Sequence, residues 1–281
     1  MIEIIAENQQ GTRLNLTSNT DYRTTCTGLD PANAVINRST VGTSDGSVIN
    51  SARVEDKNIV LTAVLQNNVE AARLAIYDIF RLKQSVRLYL STGERDVYID
   101  GRVENVEIDH FSNPQAAQIS LICPFPFFRN VTEKVFESLS IKGMFEFPFS
   151  ISAEGVPFSE FSQVIFVTLF NDGEVPGGMV VEFEAQGVVV NPIVYSVETH
   201  GAIGIMTTLN KGDRVLVDTT QGQKSVTGII DGQRSNFIRY LNRSPEWFQL
   251  THDENYYTID ADSGLENLNV IFRHNDIYEG V

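Results

Sequence analysis

From Val135 onward the chain is a train of short strand-like runs with no sustained helical periodicity, and this limits what it can fold into more than any other feature. The runs Met179–Ala185, Gly187–Val197, Ile203–Thr207, Arg214–Asp218, Ser225–Ile229, Trp247–Leu250, Tyr256–Asp260 and Leu268–His274 are rich in β-branched and aromatic residues. Turn-forming residues separate them, as in Asn171-Asp-Gly-Glu-Val-Pro-Gly-Gly178. Roughly nine such runs in about 140 residues is the spacing of a β-sandwich or jelly roll. Val164–Phe170 is continuously apolar and reads as a strand covered on both faces. Phe145-Glu-Phe-Pro-Phe149 alternates, but Pro148 cannot donate to a ladder, which makes it an edge or an irregular crossing. Ser235–Leu241 stays open between a helical turn and a strand.

The first half reads differently. Val69, Ala72, Ile76, Ile79 and Phe80 recur at helical spacing, so a helix is expected within Asn67–Gln84. Asn67 would be its N-cap and Glu70 the capping-box partner, with Arg81 and Lys83 in the last turn. Upstream, Thr43-Ser-Asp-Gly46 separates Asn37–Val41 from Val48–Val54, a hairpin pattern. Its arms are polar and poor in large apolar residues, so it cannot bury itself within one chain. It lies in solvent or packs on a neighbouring subunit, which makes Val41, Thr43, Asp45, Gly46, Val48 and Ile49 the candidate subunit-interface residues. After the helix, Val86–Leu90, Val97–Ile99, Val103–Ile108 and Ala116–Ile122 read as strands with turns at Thr92-Gly93 and Asp100-Gly101. The set runs into Cys123-Pro-Phe-Pro-Phe-Phe-Arg129. At 281 residues the chain is long for one core. The expected division is therefore 1–132, a β-sheet domain with one helix, and 133–281, a β-sandwich.

Composition excludes several classes. A net charge of −15, with the acidic residues dispersed, argues against specific nucleic-acid binding and against an anionic membrane surface. No apolar run approaches the roughly 20 residues that span a bilayer. Two cysteines, Cys26 and Cys123, make no disulfide framework, and the acidic start Met-Ile-Glu-Ile-Ile-Ala-Glu lacks the basic region of a signal peptide. Synthesis in a reducing compartment is the expectation.

No catalytic, cofactor or metal site is expected. His110, His200, His252 and His274 stand alone, none at a metal-ligand spacing. Asp260-Ala-Asp262-Ser-Gly264 begins like a calcium loop, but Leu265 and Ile271 stand where an EF-hand needs Gly and Glu. Nucleophile elbow, phosphate loop and dinucleotide fingerprint are all missing from the sequence. Trp247 is the one aromatic weighed as a ligand platform. Either it or Phe248 must face the core if the run is a regular strand, so Trp247 is a core residue or a stacking surface for a sugar ring.

Several pieces, in order, resemble the distal tail proteins of long-tailed bacteriophages (siphophages). They are the Asn171-Asp-Gly-Glu-x-Pro turn, Gly212-Asp-Arg-Val-Leu-Val-Asp-Thr219, Ser225-Val226, Asp231-Gly232, Trp247-Phe248-x-Leu250 and Tyr278-x-Gly280. The Cys-Pro-Phe-Pro-Phe exit of the first half is similar too. Thr251-His-Asp-Glu-Asn255 departs from the family, which often shows Pro-Gly before the Asn. The resemblance implies a mainly β chain: an N-terminal ring-forming β-sheet or β-sandwich domain with one α-helix and a protruding hairpin, and a C-terminal galectin-like β-sandwich. It implies a non-enzymatic, structural tail protein, made in the bacterial host cytoplasm and built into the virion of a phage or prophage. Its partners would be itself, as a homohexameric ring, the tail-tube protein, and a tail-tip, tail-lysin or receptor-binding baseplate protein, with DNA passing through the ring and no membrane contact. A galectin-like fold does not carry sugar binding with it. The alternative function is a carbohydrate-binding module for cell-wall glycans, with Trp247 as its platform.

Overall fold

The computed structural model describes residues 2–40, 42, 45–143, 159–163 and 165–281. The expected alternation at Phe145–Phe149 lies outside them. Among the described residues the fold is mainly β, with one α-helix, and it separates into two compact units. One comprises Met1–Thr132 and Ile277–Val281, the other Glu133–Asp276. The last five residues thus return to the first unit, which the reading of 133–281 as one domain did not anticipate.

A nine-stranded antiparallel sheet forms the first unit. Its main path runs Arg13–Asn15, Glu3–Asn8, Ser85–Ser91, Asp96–Ile108, Ala116–Cys123, Lys57–Leu65, Tyr22–Thr27. Phe128–Asn130 pairs on Asp96–Ile108 and in turn receives Ile277–Tyr278. Strict alternation dictates the core: in Lys57–Leu65 every second residue, Ile59, Leu61, Ala63 and Leu65, is buried. The helix, Val69–Ile79, buries Ala72, Ile76 and Ile79 as the spacing requires. Its start differs from expectation. The cap is Asn68 in the left-handed conformation with no side-chain cap bond, while the Asn67 amide donates to the Thr20 carbonyl at 2.8 Å. Its end comes earlier too. Lys83 has φ +66 and lies beyond the last turn, where its backbone N–H donates to the Val103 carbonyl.

Asp100-Gly101 is not a turn. Asp96–Ile108 is one strand, with a register shift between Val103 and Asn105. Gly101 is needed for close approach, because a Cβ there would lie 2.9 Å from the Cys123 Sγ. Both cysteines are free, and burial pushes each thiol up to about 12.

The second unit holds a six-stranded sheet in the order Lys134–Glu137, Leu268–His274, Val180–Ala185, Arg214–Asp218, Ser225–Ile230, Gln233–Asn236. A four-stranded sheet runs Phe166–Asn171, Asp253–Asp260, Ile193–Ser196, Ala202–Gly204. Side chains of both sheets share one core, including Val167, Phe183, Val194, Tyr257 and Phe272. Leu139–Gly143 and Ser159–Gln163 pair with each other. Three local expectations change. Gly187–Val197 is interrupted, because Asn191 takes φ +50 and Pro192 follows it. Ser235–Leu241 divides into the end of a strand and a 3-10 turn at Ile238–Tyr240. Phe166–Asn171 is covered on one face only: Val167, Leu169 and Asn171 are buried, while Phe166 and Phe170 are half-exposed.

Candidate subunit interface

The hairpin consists of Ala34–Ser39 and Val48–Val54, paired antiparallel with a shift between Asn37 and Arg38. Its first arm starts three residues earlier than the sequence suggested. Gly46 takes φ +96, a conformation that L-residues with a Cβ rarely adopt, which accounts for the Asp45-Gly46 turn chemistry. Polar cross-strand contacts hold the arms, with Asn37 Nδ2 donating to Ser51 Oγ at 3.0 Å and Asn50 Nδ2 to Ser39 Oγ at 3.2 Å.

The two arms form a sheet of their own and pair with no other described strand. Twelve of their thirteen residues are exposed, Val35 being the exception. Among the exposed residues are Ile36 (54 %), Val48 (53 %) and Ile49 (64 %). An isolated two-stranded hairpin is marginally stable at best in water. Val48 and Ile49 are consecutive in the strand and face opposite sides of the hairpin. Burying one such aliphatic side chain contributes about 1.5–3 kcal/mol, so covering these side chains would stabilise the hairpin. Of the six interface candidates, Asp45, Gly46, Val48 and Ile49 are placed together on this exposed element. Val41 and Thr43 lie outside the described residues. Sequence reasoning missed Ile36; the signal was the Val35-Ile36 pair just before the arm as first drawn.

The motifs of the second unit are structural ties. Asp213 is buried and accepts from the backbone N–H groups of Asn210 and Asp231, joining two turns. Thr219 Oγ1 accepts from Met179 N–H and donates to the Phe248 carbonyl, each at 2.8 Å. Asn171 donates to the Leu250 carbonyl and accepts from Gly173 N–H, which shapes the turn after its strand. Phe248 faces the core and Trp247 is half-buried against it, with Lys224 Nζ over the indole ring, 5.3 Å from its centroid. Among the described residues no group of three His, Cys, Asp or Glu side chains could hold a metal ion. No helix among them is long and apolar enough to cross a membrane.

Among the described residues a polar cluster surrounds a buried histidine. Lys134 Nζ lies 2.5 Å from Asp172 and 2.9 Å from the buried Asp276. His274 is buried too, its Nδ1 3.9 Å from Asp276 and without a hydrogen bond. Burial pushes the His274 imidazole below its ordinary value, against the opposing pull of the Asp276 carboxylate. A depressed histidine binds its proton more readily in the unfolded chain. Its stabilising contribution is therefore complete above about pH 6.5 and is lost as pH falls through the lower folded-state pKa. The second unit should weaken as pH falls below about 6.5, and His274→Gln should flatten that slope. Urea unfolding at stepped pH checks this; an unchanged slope in the variant would place the cause elsewhere.

No protein-family model matches the chain, and no curated protein matches it in sequence. Solved structures do. The chain is similar to the Dit (gp 19.1) protein of phage SPP1, described as a paradigm of the hub adsorption apparatus in phages infecting Gram-positive hosts. The TM-score is 0.67 at 12 % identity, covering 98 % of this chain and 99 % of that one. It is also similar to a chain of the phage P2 baseplate in its activated conformation with Ca, at TM-score 0.56 and 10 % identity, over the full length of both chains. The same baseplate with Sr gives 0.53 at 11 % identity, over 98 % of this chain and 99 % of that one. The fold is therefore shared end to end with these hub and baseplate chains.

Proposed function

We propose that this chain, with the fold of a phage hub protein over its whole length, is a distal tail protein: a structural hub that joins the tail tube to the host-recognition apparatus. The observation that carries this is the extent of the likeness. Both units fall within a match covering 98 % of this chain and 99 % of the phage SPP1 protein. A shared β-sandwich module alone would match only one unit.

The hub reading also gives the exposed hairpin an occupant. In a homohexameric ring, Ile36, Val48 and Ile49 pack against a neighbouring copy, and the interface set read from the sequence adds Val41, Thr43, Asp45 and Gly46. The tail-tube protein docks on one side of the ring and a tail-tip, tail-lysin or baseplate protein on the other. Six copies at −15 each carry −90, and a duct lined with part of that charge repels DNA phosphates within roughly 8 Å of its wall. DNA passes without sticking. No reaction chemistry is assigned to the chain.

Gold-labelled antibody against the chain should decorate intact virions at the junction of tube and tip. Label confined to the capsid, or no label on virions, would defeat the reading. The carbohydrate-binding alternative keeps its own test: glycan affinity that Trp247→Ala abolishes. The hub reading expects no such affinity, since Lys224 covers one face of that ring.

A further inference from the structure

The second unit carries an edge built unlike its other edges. Among the described residues its two larger sheets have four edge strands, Lys134–Glu137, Gln233–Asn236, Ala202–Gly204 and Phe166–Asn171. The first begins with Lys and ends with Glu, the second contains Arg234 and is fully exposed, and the third is only three residues long. Charge and shortness are ordinary protections against edge-to-edge pairing. Phe166-Val-Thr-Leu-Phe-Asn171 has neither: six residues, without charge, proline or register shift.

The register shows which backbone groups are free. Ile259 N–H donates to the Ile165 carbonyl at 2.8 Å, so the pairs Val167–Tyr257 and Leu169–Asn255 also face each other across the ladder. Phe166, Thr168 and Phe170 therefore turn their N–H and C=O groups away from the sheet. The Val197 N–H bond to the Tyr256 carbonyl agrees, since it points that residue to the opposite neighbour. Of the outward groups only the Phe170 carbonyl is engaged, by Lys134 Nζ at 3.3 Å.

The side chains beside this edge select a class of strand. Phe166 (50 %) and Phe170 (53 %) stand on the outer face, and the Tyr256 ring lies 5.9 Å from that of Phe166. The charged groups there are acidic: Glu254 opposite Phe170 and bonded to the Tyr256 hydroxyl, with Asp253 and Glu198 exposed nearby. Lys134, whose Nζ reaches the Phe170 carbonyl, is already matched by Asp172 and Asp276. We infer that the free edge of Phe166–Asn171 receives an extended segment of a partner protein as an added strand, with apolar side chains at alternate positions and basic residues between them. Backbone bonds supply the pairing, the two phenylalanines the apolar contact, and the acidic rim the preference for base.

The probe is a capped octapeptide of alternating Val and Lys, with the same peptide N-methylated throughout as control. Hydrogen exchange of the full chain should show fast amides at Phe166, Thr168 and Phe170 that become protected when the probe is added. Thr168→Pro removes one outward N–H and leaves the existing ladder whole; it should weaken probe binding at least tenfold. Phe170→Lys, on an exposed position, should do the same by repulsion. Protection of the three amides before any probe is added would mean that this chain or a second copy already covers the edge, and would overturn the inference. Equal binding of the N-methylated control would also overturn it, leaving only charge attraction. Neither result bears on ring formation, which rests on the hairpin.

Discussion

Replacing Ile36, Val48 and Ile49 together by Asp is expected to give a folded chain that does not assemble. The three side chains are more than half exposed in the single chain, so their loss removes no core contact. Exposed substitutions of this kind stay within about 0.5 kcal/mol of the parent in stability. In a ring each copy would bury these side chains, and a desolvated carboxylate without a partner costs several kcal/mol. Repeated around six interfaces, that cost separates the copies completely. Sizing of variant and parent checks it, with circular dichroism to show that the sheets persist. An unfolded variant would mean that the hairpin packs within its own chain, and an unchanged ring would place the interface elsewhere.

Phe128→Ala is expected to cost about 3–5 kcal/mol in the first unit, the usual range for deleting a buried aromatic ring. Phe128 is fully buried, sits in the main core cluster, and pairs with Tyr278 of the returning C-terminal strand. Lys57 Nζ lies 4.2 Å from the centre of its ring and donates to the carbonyls of Asp30 and Glu279, each at 2.9 Å. The substitution therefore leaves a cavity and takes the aromatic face from a buried cation. Phe111→Ala is the control, since Phe111 is 100 % exposed and should change little. Two units need not unfold together, so exchange protection should be read along each unit separately. Loss of protection should appear in Asp96–Ile108 and Ile277–Tyr278 while Leu268–His274 keeps its own. A shift below about 1 kcal/mol would contradict the packing assigned to this ring.

The sequence carried the fold class because period-2 burial is a local signal, and the runs read at Val86–Leu90 and Ala116–Ile122 alternate as Ser85–Ser91 and Ala116–Cys123 do in the structure. What it concealed is non-local. Gly101 looks like turn chemistry, yet its reason is a cysteine on the neighbouring strand. Val164–Phe170 reads as doubly covered because exposed and buried phenylalanines are the same letter, whereas the strand Phe166–Asn171 is covered on one face. The C-terminal Ile277–Tyr278 gives no hint that its partner is Phe128–Asn130, far away in sequence. The exposed hairpin was legible in part: its polar arms and turn pointed to Val48 and Ile49, but Ile36 lay beyond the arm as drawn from turn spacing. His274 is a lone histidine in the sequence, and its burial beside Asp276 depends on contacts across the sheet.

The hub account stands or falls on assembly, and light scattering of the purified chain over a range of concentrations tests it most directly. The account expects a particle of six times 31.3 kDa, seen as a ring by negative stain, alone or once the tail-tube protein is added as template. A strict monomer at every concentration, with and without that template, would contradict it.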